Sequence, residues 1–325
     1  MTLRLAALLS VLFLAPALNG QELAPAPTPA SEIPDYTLDY GYDRSDRMTV
    51  PVSVEGKGPY QFIVDTGAER TVIARELADE LDLGLGMKAR LHSMTEVSSI
   101  QTVIINALEV GGKSVRDIHA PALERRNIGA EGILGVDSLQ SKRVSFDFAR
   151  QQMTVTPSKK RERAWPADTI VVTARNRFGY LVLIDASIDG QKVWVILDTG
   201  AQTTVANSAL RRKLEKRGRI GKTWPIQMLS VTGGRLTADQ TVMKEIRLGG
   251  INIRNLAVAF SDVHPFRKLD LMDRPAILLG MDALRLFERV SVDFTNREVR
   301  LLPSSDTLGV RPERFALKEW SLPDG

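Results

Sequence analysis

Two aspartates, Asp65 and Asp198, occupy the same place in a stretch that the chain writes twice. Phe62-Ile63-Val64-Asp65-Thr66-Gly67-Ala68-Glu69-Arg70-Thr71-Val72 returns as Val195-Ile196-Leu197-Asp198-Thr199-Gly200-Ala201-Gln202-Thr203-Thr204-Val205. Each copy is an apolar run that stops at the Asp and then turns through Thr and Gly. A carboxylate at the end of a buried strand is costly to ionise without partners. Gly takes backbone angles other residues avoid and lets a second backbone come close. Taken singly, an Asp beside a Gly reads as a turn residue capped through its own side chain. Two on matching frames can be brought face to face. Facing carboxyls resist double ionisation and share a proton, so that one can act as base and the other as acid.

Each copy is followed by a second matched signature, two apolar residues and a Gly ahead of a short helical pattern. These are Ile133-Leu134-Gly135-Val136-Asp137-Ser138-Leu139 and Leu278-Leu279-Gly280-Met281-Asp282-Ala283-Leu284. The combination resembles the retropepsin-like aspartic peptidases, with Leu197-Asp198-Thr199-Gly200-Ala201 the closer match to their active-site turn. The resemblance extends from about Tyr36 to Pro303, and the shared-proton argument is the one already established for aspartic-protease dyads.

The resemblance implies an all-β, two-lobed acid-protease fold, each lobe a retropepsin-like β-barrel with one or two short helices. It implies an aspartic endopeptidase whose Asp65 and Asp198 hold and activate one water at the interlobe cleft. Thr66 and Thr199 lock the two turns across the lobe interface, and Gly67, Ala68, Gly200 and Ala201 line the substrate channel. Each lobe supplies one Asp, so the active site forms within a monomer. The substrate is a peptide or protein bound extended, like an added strand. No cofactor and no metal is implied. Pepsin-like relatives carry Ser or Thr where this chain has Ala68 and Ala201, so no hydroxyl is available to bond the ionised Asp, and the dyad is expected to keep its proton to higher pH. In the family a hairpin closes over the substrate. Met228 to Leu236 with Gly233-Gly234 at its tip matches it in lobe two, and roughly Leu91 to Val97, without Gly, in lobe one; the Gly-Gly hairpin is expected to be the more mobile. A peptide-binding module that does not cleave would use the same cleft.

The elements that position these residues repeat as well. Gln101-Thr102-Val103 through Gly111-Gly112 matches Gln240-Thr241-Val242 through Gly249-Gly250, and Ser145-Phe146-Asp147-Phe148 matches Ser291-Val292-Asp293-Phe294. The offset between copies grows along the chain, which places an insertion in lobe two around Ser261 to Pro275. Thr49 to Val54 and Tyr60 to Val64 read as strands about a Gly-Pro turn, Ala74 to Leu83 as a helix, Arg90 to Ile100 as a hairpin, and Asp137 as the cap of the short helix after Gly135. The expected boundaries are lobe one at 35–157, a charged linker at 158–167 and lobe two at 168–303, with a tail at 304–325 of unreadable role.

At 325 residues, with 43% apolar and 25% charged side chains, the chain suffices for two cores. A net charge of +4 with few aromatic residues does not argue for nucleic acid. Arg4 ahead of the apolar run Ala6 to Leu18 and the small residues Ala15-Pro16-Ala17 reads as a signal peptide over residues 1–20, followed by an Ala/Pro-rich spacer at 21–34. Stable membrane insertion after its cleavage is not expected. The chain has no Cys, which excludes disulfides, thiolate metal sites and Cys nucleophiles, and no Asn-x-Ser/Thr. A secreted chain lacking both points to a bacterial periplasm. His92, His119 and His264 lack metal-ligand spacing, no Gly-x-Ser-x-Gly elbow occurs, and Gly84-Leu85-Gly86 follows a helical stretch rather than a strand, against a dinucleotide loop.

Overall fold

The computed structural model describes residues 36–92, 97–139, 142–158, 165–177, 180–183 and 185–304. The expected signal peptide, the spacer, most of the linker and the tail beyond Ser304 lie outside the described residues.

The two apolar runs that lead to the aspartates form buried strands at the centre of each lobe. In lobe one Lys57–Val64 runs parallel to Gly132–Leu134. That strand pairs antiparallel with Val72–Ala74, which runs parallel to Ile118–Leu123. Lobe two repeats every step, with Trp194–Leu197 parallel to Ala276–Leu279, then antiparallel to Val205–Ala206, then parallel to Ile251–Phe260. The strand centres are apolar on both faces, as strands covered on both sides must be; Phe62, Ile63, Val64, Val195, Ile196 and Leu197 are all buried. The two-residue apolar signature thus lies beside the strand that carries the Asp. Its carbonyls set the height of each Asp, the Asp65 N–H donating to Leu134 O at 3.1 Å and the Asp198 N–H to Leu279 O at 3.0 Å.

The lobe-two sheet continues through Tyr180–Leu183 into a run of strands that joins the lobes. Its strands run in the order Tyr36–Asp39, Gln152–Pro157, Lys142–Asp147, Phe287–Asp293, Glu298–Pro303 and Ile170–Arg177. The central pair is antiparallel and sets Ser145 opposite Ser291, residues that the internal repeat also aligns. Their hydroxyls bond each other at 2.9 Å, so the local two-fold axis of the duplication passes between them. Two ion pairs flank that axis, related by it. Arg143 faces Asp293 at 3.6 Å with both side chains buried, and Arg289 reaches Asp147 at 3.2 Å in a more open setting.

Each lobe carries three short helical segments among the described residues, one more than the sequence suggests: Arg75–Glu80, Arg125–Ile128 and the 3-10 turn Val136–Ser138, then Ser208–Glu215, His264–Lys268 and Met281–Leu284. Helical spacing over Ala74 to Leu83 yields only Arg75–Glu80, since Asp82 takes a left-handed φ of 51° and turns the chain away. The lobe-one hairpin starts earlier than expected, at Leu85, pairing Leu85–His92 with Val97–Ile105. Asp137 does not cap its turn. Gly135 holds the cap position, and the Asp137 carboxylate reaches back to the Thr71 N–H and hydroxyl, each within 3.0 Å. The lobe-two insertion folds as His264–Lys268 and the following turn, anchored by buried Phe266, Leu269 and Leu271.

The two ion pairs differ in burial, and their energies should differ accordingly. Asp293→Ala removes the carboxylate that faces the buried Arg143 charge and the acceptor for the N–H groups of Thr295 and Asn296. A loss of about 3–5 kcal/mol in denaturant unfolding is expected, against about 1 kcal/mol or less for Arg289→Met. Equal losses would show that burial does not set the difference.

Candidate active site

Each Asp sits where its strand ends and the chain folds back on itself. The Gly67 and Ala68 N–H groups donate to Asp65 Oδ1 at 2.7 and 3.0 Å. The Gly200 and Ala201 N–H groups donate to Asp198 Oδ1 at 2.9 and 3.1 Å. Oδ1 of each carboxyl is held by backbone, and the two groups meet at the lobe interface. The closeness is read from the glycines. A Cβ on Gly200 would lie 2.2 Å from Asp65 Cγ, and one on Gly67 2.7 Å from Asp198 Cγ. Any side chain at either position would displace the opposite carboxyl.

Four buried hydrogen bonds tie the two turns together beneath the aspartates. The Thr66 N–H donates to Thr199 Oγ1 at 3.0 Å and the Thr199 N–H to Thr66 Oγ1 at 3.2 Å. The Thr66 hydroxyl donates to Leu197 O and the Thr199 hydroxyl to Val64 O. Each Thr hydroxyl thus reaches into the other lobe's turn, accepting one hydrogen bond and donating one. Behind each turn a second brace recurs, the Asp137 bonds to Thr71 and the Asp282 bonds to the Thr204 N–H and hydroxyl. Burial pushes Asp282 up to about 6.

Both aspartates keep some surface open to the cleft, yet the protein packed around them desolvates their carboxyls and raises both above the ordinary 3.8. Asp198 lies well above it, first through burial, then through the negative charge of Asp65 and the hydrogen bond between the two carboxyls. On Asp65 burial is opposed by the Gly67 N–H, by that same bond to Asp198, and by the nearby Arg47 charge. The pair therefore resists double ionisation, and the two carboxyls share one proton.

A cavity of about 440 Å³ opens over the dyad. Gly67, Ala68, Gly200 and Ala201 line it. Gly233 and Gly234 do not. Their hairpin contributes Met228, Leu229 and Val231 to the lining instead. Gly233 turns the tip with a left-handed φ of 86°, and a Cβ there would lie 2.9 Å from Asn127 Nδ2, so the lobe-two hairpin extends across to lobe one. Residues 93–96, where the lobe-one hairpin was expected to turn, lie outside the described residues. Sequence reasoning missed Arg47, which precedes a strand without any local motif, and the wall formed by Arg126 to Gly129. It marked the Ser261–Pro275 insertion only as extra chain. That insertion brings His264, Pro265 and Lys268 to the cavity, where Lys268 pairs with Glu69 of lobe one.

The raised folded-state values carry a sign for stability. The folded chain keeps a proton that the unfolded chain has released, so these carboxyls stabilise below pH about 4, and that contribution is lost as pH rises toward their folded values. Asp198→Asn removes the titration. It should be more stable than the unsubstituted protein at pH 7, with the advantage gone below pH about 4. Urea midpoints at the two pH values measure this, and a less stable variant at pH 7 would contradict the buried-dyad electrostatics.

Comparison with known proteins agrees with this geometry. An aspartyl protease family model matches residues 50–138 and 184–283, one match in each lobe and together more than half of the chain. No curated protein matches it. The family match falls on both copies of the Asp-bearing strand and turn, and the chain belongs to the aspartyl protease family, as two retropepsin-like lobes in one polypeptide.

Proposed function

We propose that the protein is an aspartic endopeptidase acting through Asp65 and Asp198. The observation that carries this reading is the mutual approach of the two carboxyls, each fixed by two backbone N–H groups beside a cavity. A peptide lies extended in the cleft beneath the hairpins. One water sits between the carboxyls. Ionised Asp65 takes a proton from the water as its oxygen attacks the scissile carbonyl carbon, while protonated Asp198 gives its proton to the carbonyl oxygen. The resulting tetrahedral diol collapses as the C–N bond breaks. Asp65 returns its proton to the leaving nitrogen, and a diol hydroxyl gives its proton to Asp198. The pair ends with one proton, as it began.

The reaction needs one carboxyl ionised and the other protonated, so activity is bell-shaped in pH. It falls as acid protonates the base, and it falls again as alkali removes the proton held on Asp198. Ala68 and Ala201 offer backbone N–H groups but no hydroxyl to the ionised form, which keeps the profile toward neutral pH. That suits a processing protease of the cell envelope, in keeping with the signal-like N-terminus and the Cys-free composition. No helix among the described residues is long and apolar enough to cross a membrane.

Two experiments test the proposal. Asp65→Asn and Asp198→Asn are each expected to abolish cleavage of a diverse peptide library, read by mass spectrometry, while circular dichroism stays native; turnover near that of the unsubstituted protein in either variant would rule the dyad out. A peptide-binding module would bind library peptides and cleave none. Ala68→Ser with Ala201→Ser adds a hydroxyl beside each carboxyl and should move the acidic limb of the kcat/KM profile to lower pH. An unmoved limb in an active variant would remove Ala68 and Ala201 from the account.

A further inference from the structure

Because the two lobes are copies of one another, the places where they differ are the places where the cleft can tell one end of a peptide from the other. The clearest difference is electrostatic. Arg70 leaves the lobe-one turn five residues after Asp65, and Arg90 lies on the lobe-one hairpin strand; both are exposed and both border the cavity. The repeat that aligns Asp65 with Asp198 sets Thr203 against Arg70. For Arg90 the strand pairing supplies the match. Arg90 stands opposite Ser99 and Ile226 opposite Ala238, and the frame aligning Gln101 with Gln240 aligns Ser99 with Ala238, so Ile226 is its counterpart.

The other cations of the lining are balanced. Arg47 is bonded to Asp43, Arg126 to Glu124 and Lys268 to Glu69. Among the described residues neither Arg70 nor Arg90 pairs with a carboxylate. Lobe two presents an apolar surface to the same cavity through Met228, Leu229 and Val231 of its hairpin, with Leu229 55% exposed. A cleft with low-dielectric walls strengthens the field of uncompensated charges inside it, and guanidinium groups pair with carboxylates in a forked geometry.

We propose that the cleft selects peptides with an acidic side chain on the lobe-one side of the scissile bond and apolar side chains on the lobe-two side. Arg70 and Arg90 receive the carboxylate, and the unequal walls fix the direction in which the peptide lies over the dyad. The inference rests on the peptide reading above, so its test measures binding without cleavage. Asp65→Asn protein is titrated into fluorescein-labelled host peptides of Ala, Val and Leu, with Glu, Gln or Lys placed at each position in turn, and anisotropy is recorded. At one or more positions the Glu peptide should bind about fivefold more tightly than its Gln twin and the Lys peptide more weakly. The advantage should shrink between about 0.05 M and about 0.5 M salt and disappear in Asp65→Asn protein that also carries Arg70→Gln and Arg90→Gln. Equal binding of Glu and Gln peptides at every position, or an advantage that survives both Arg substitutions, overturns the charge selection and leaves the peptide reading standing. Failure of every peptide to bind overturns both.

Discussion

Two carboxyls side by side in a desolvated site repel each other when both are ionised and are costly to bury at all. Nothing in either lobe alone would keep them together. The constraint is met by Thr66 and Thr199, whose hydroxyls and N–H groups exchange four buried bonds across the interface. Each Thr satisfies backbone groups of the opposite turn, so separating the lobes would strand buried donors and acceptors on both sides. An unsatisfied buried polar group costs about 1–3 kcal/mol, and that penalty opposes the separation the carboxyls would otherwise favour. The glycines at 67 and 200 serve the same end, since a side chain at either place would occupy the position of the facing carboxyl.

The interface is supported from below by the joining sheet. The backbone ladder between Lys142–Asp147 and Phe287–Asp293 fixes the register of one lobe on the other, and the Ser145–Ser291 contact marks the axis about which both halves are arranged. A slip of one residue in that ladder would turn every inward side chain outward, including buried Phe146 and Val292. The register is therefore specified by burial, and the dyad inherits its alignment from a sheet that contains none of its residues.

Symmetry holds where the carboxyls are positioned and fails along the walls. The strands, the threonine lock and the Asp137 and Asp282 braces recur in both halves. The rim does not. Lobe two has the His264–Lys268 helix where lobe one has Arg125–Ile128, and among the described cations of the cavity lining the two that pair with no carboxylate, Arg70 and Arg90, lie on lobe one. Burial constrains the first set through packing and hydrogen-bond satisfaction, whereas exposed rim residues are free to diverge toward whatever the cleft receives.

Much of this was legible in the chain itself. The duplicated apolar run, Asp, Thr and Gly marked both turns, and the apolar-apolar-Gly signature marked the strands that hold them, because these patterns report local burial and close backbone approach. The sheet that joins the lobes could be traced only as a repeat of Ser145 to Phe148 in Ser291 to Phe294. Which strand it paired with, and that Arg143 meets Asp293, depends on contacts between residues far apart in sequence. Asp137 read as a helix cap from its neighbours, but Thr71 lies close enough in space to claim its carboxylate. Gly233 read as a cleft residue from its place in a hairpin, while the folded hairpin sets its tip against Asn127 and lines the cavity with Met228, Leu229 and Val231 instead. The chain by itself determined the two reactive turns and their repeat, since short-range patterns encode them. Only the tertiary structure decided the meeting of the carboxyls, the raised proton affinity of the pair and the unequal charge of the cleft walls, because each arises from groups that the fold, and not the chain order, brings within reach of one another.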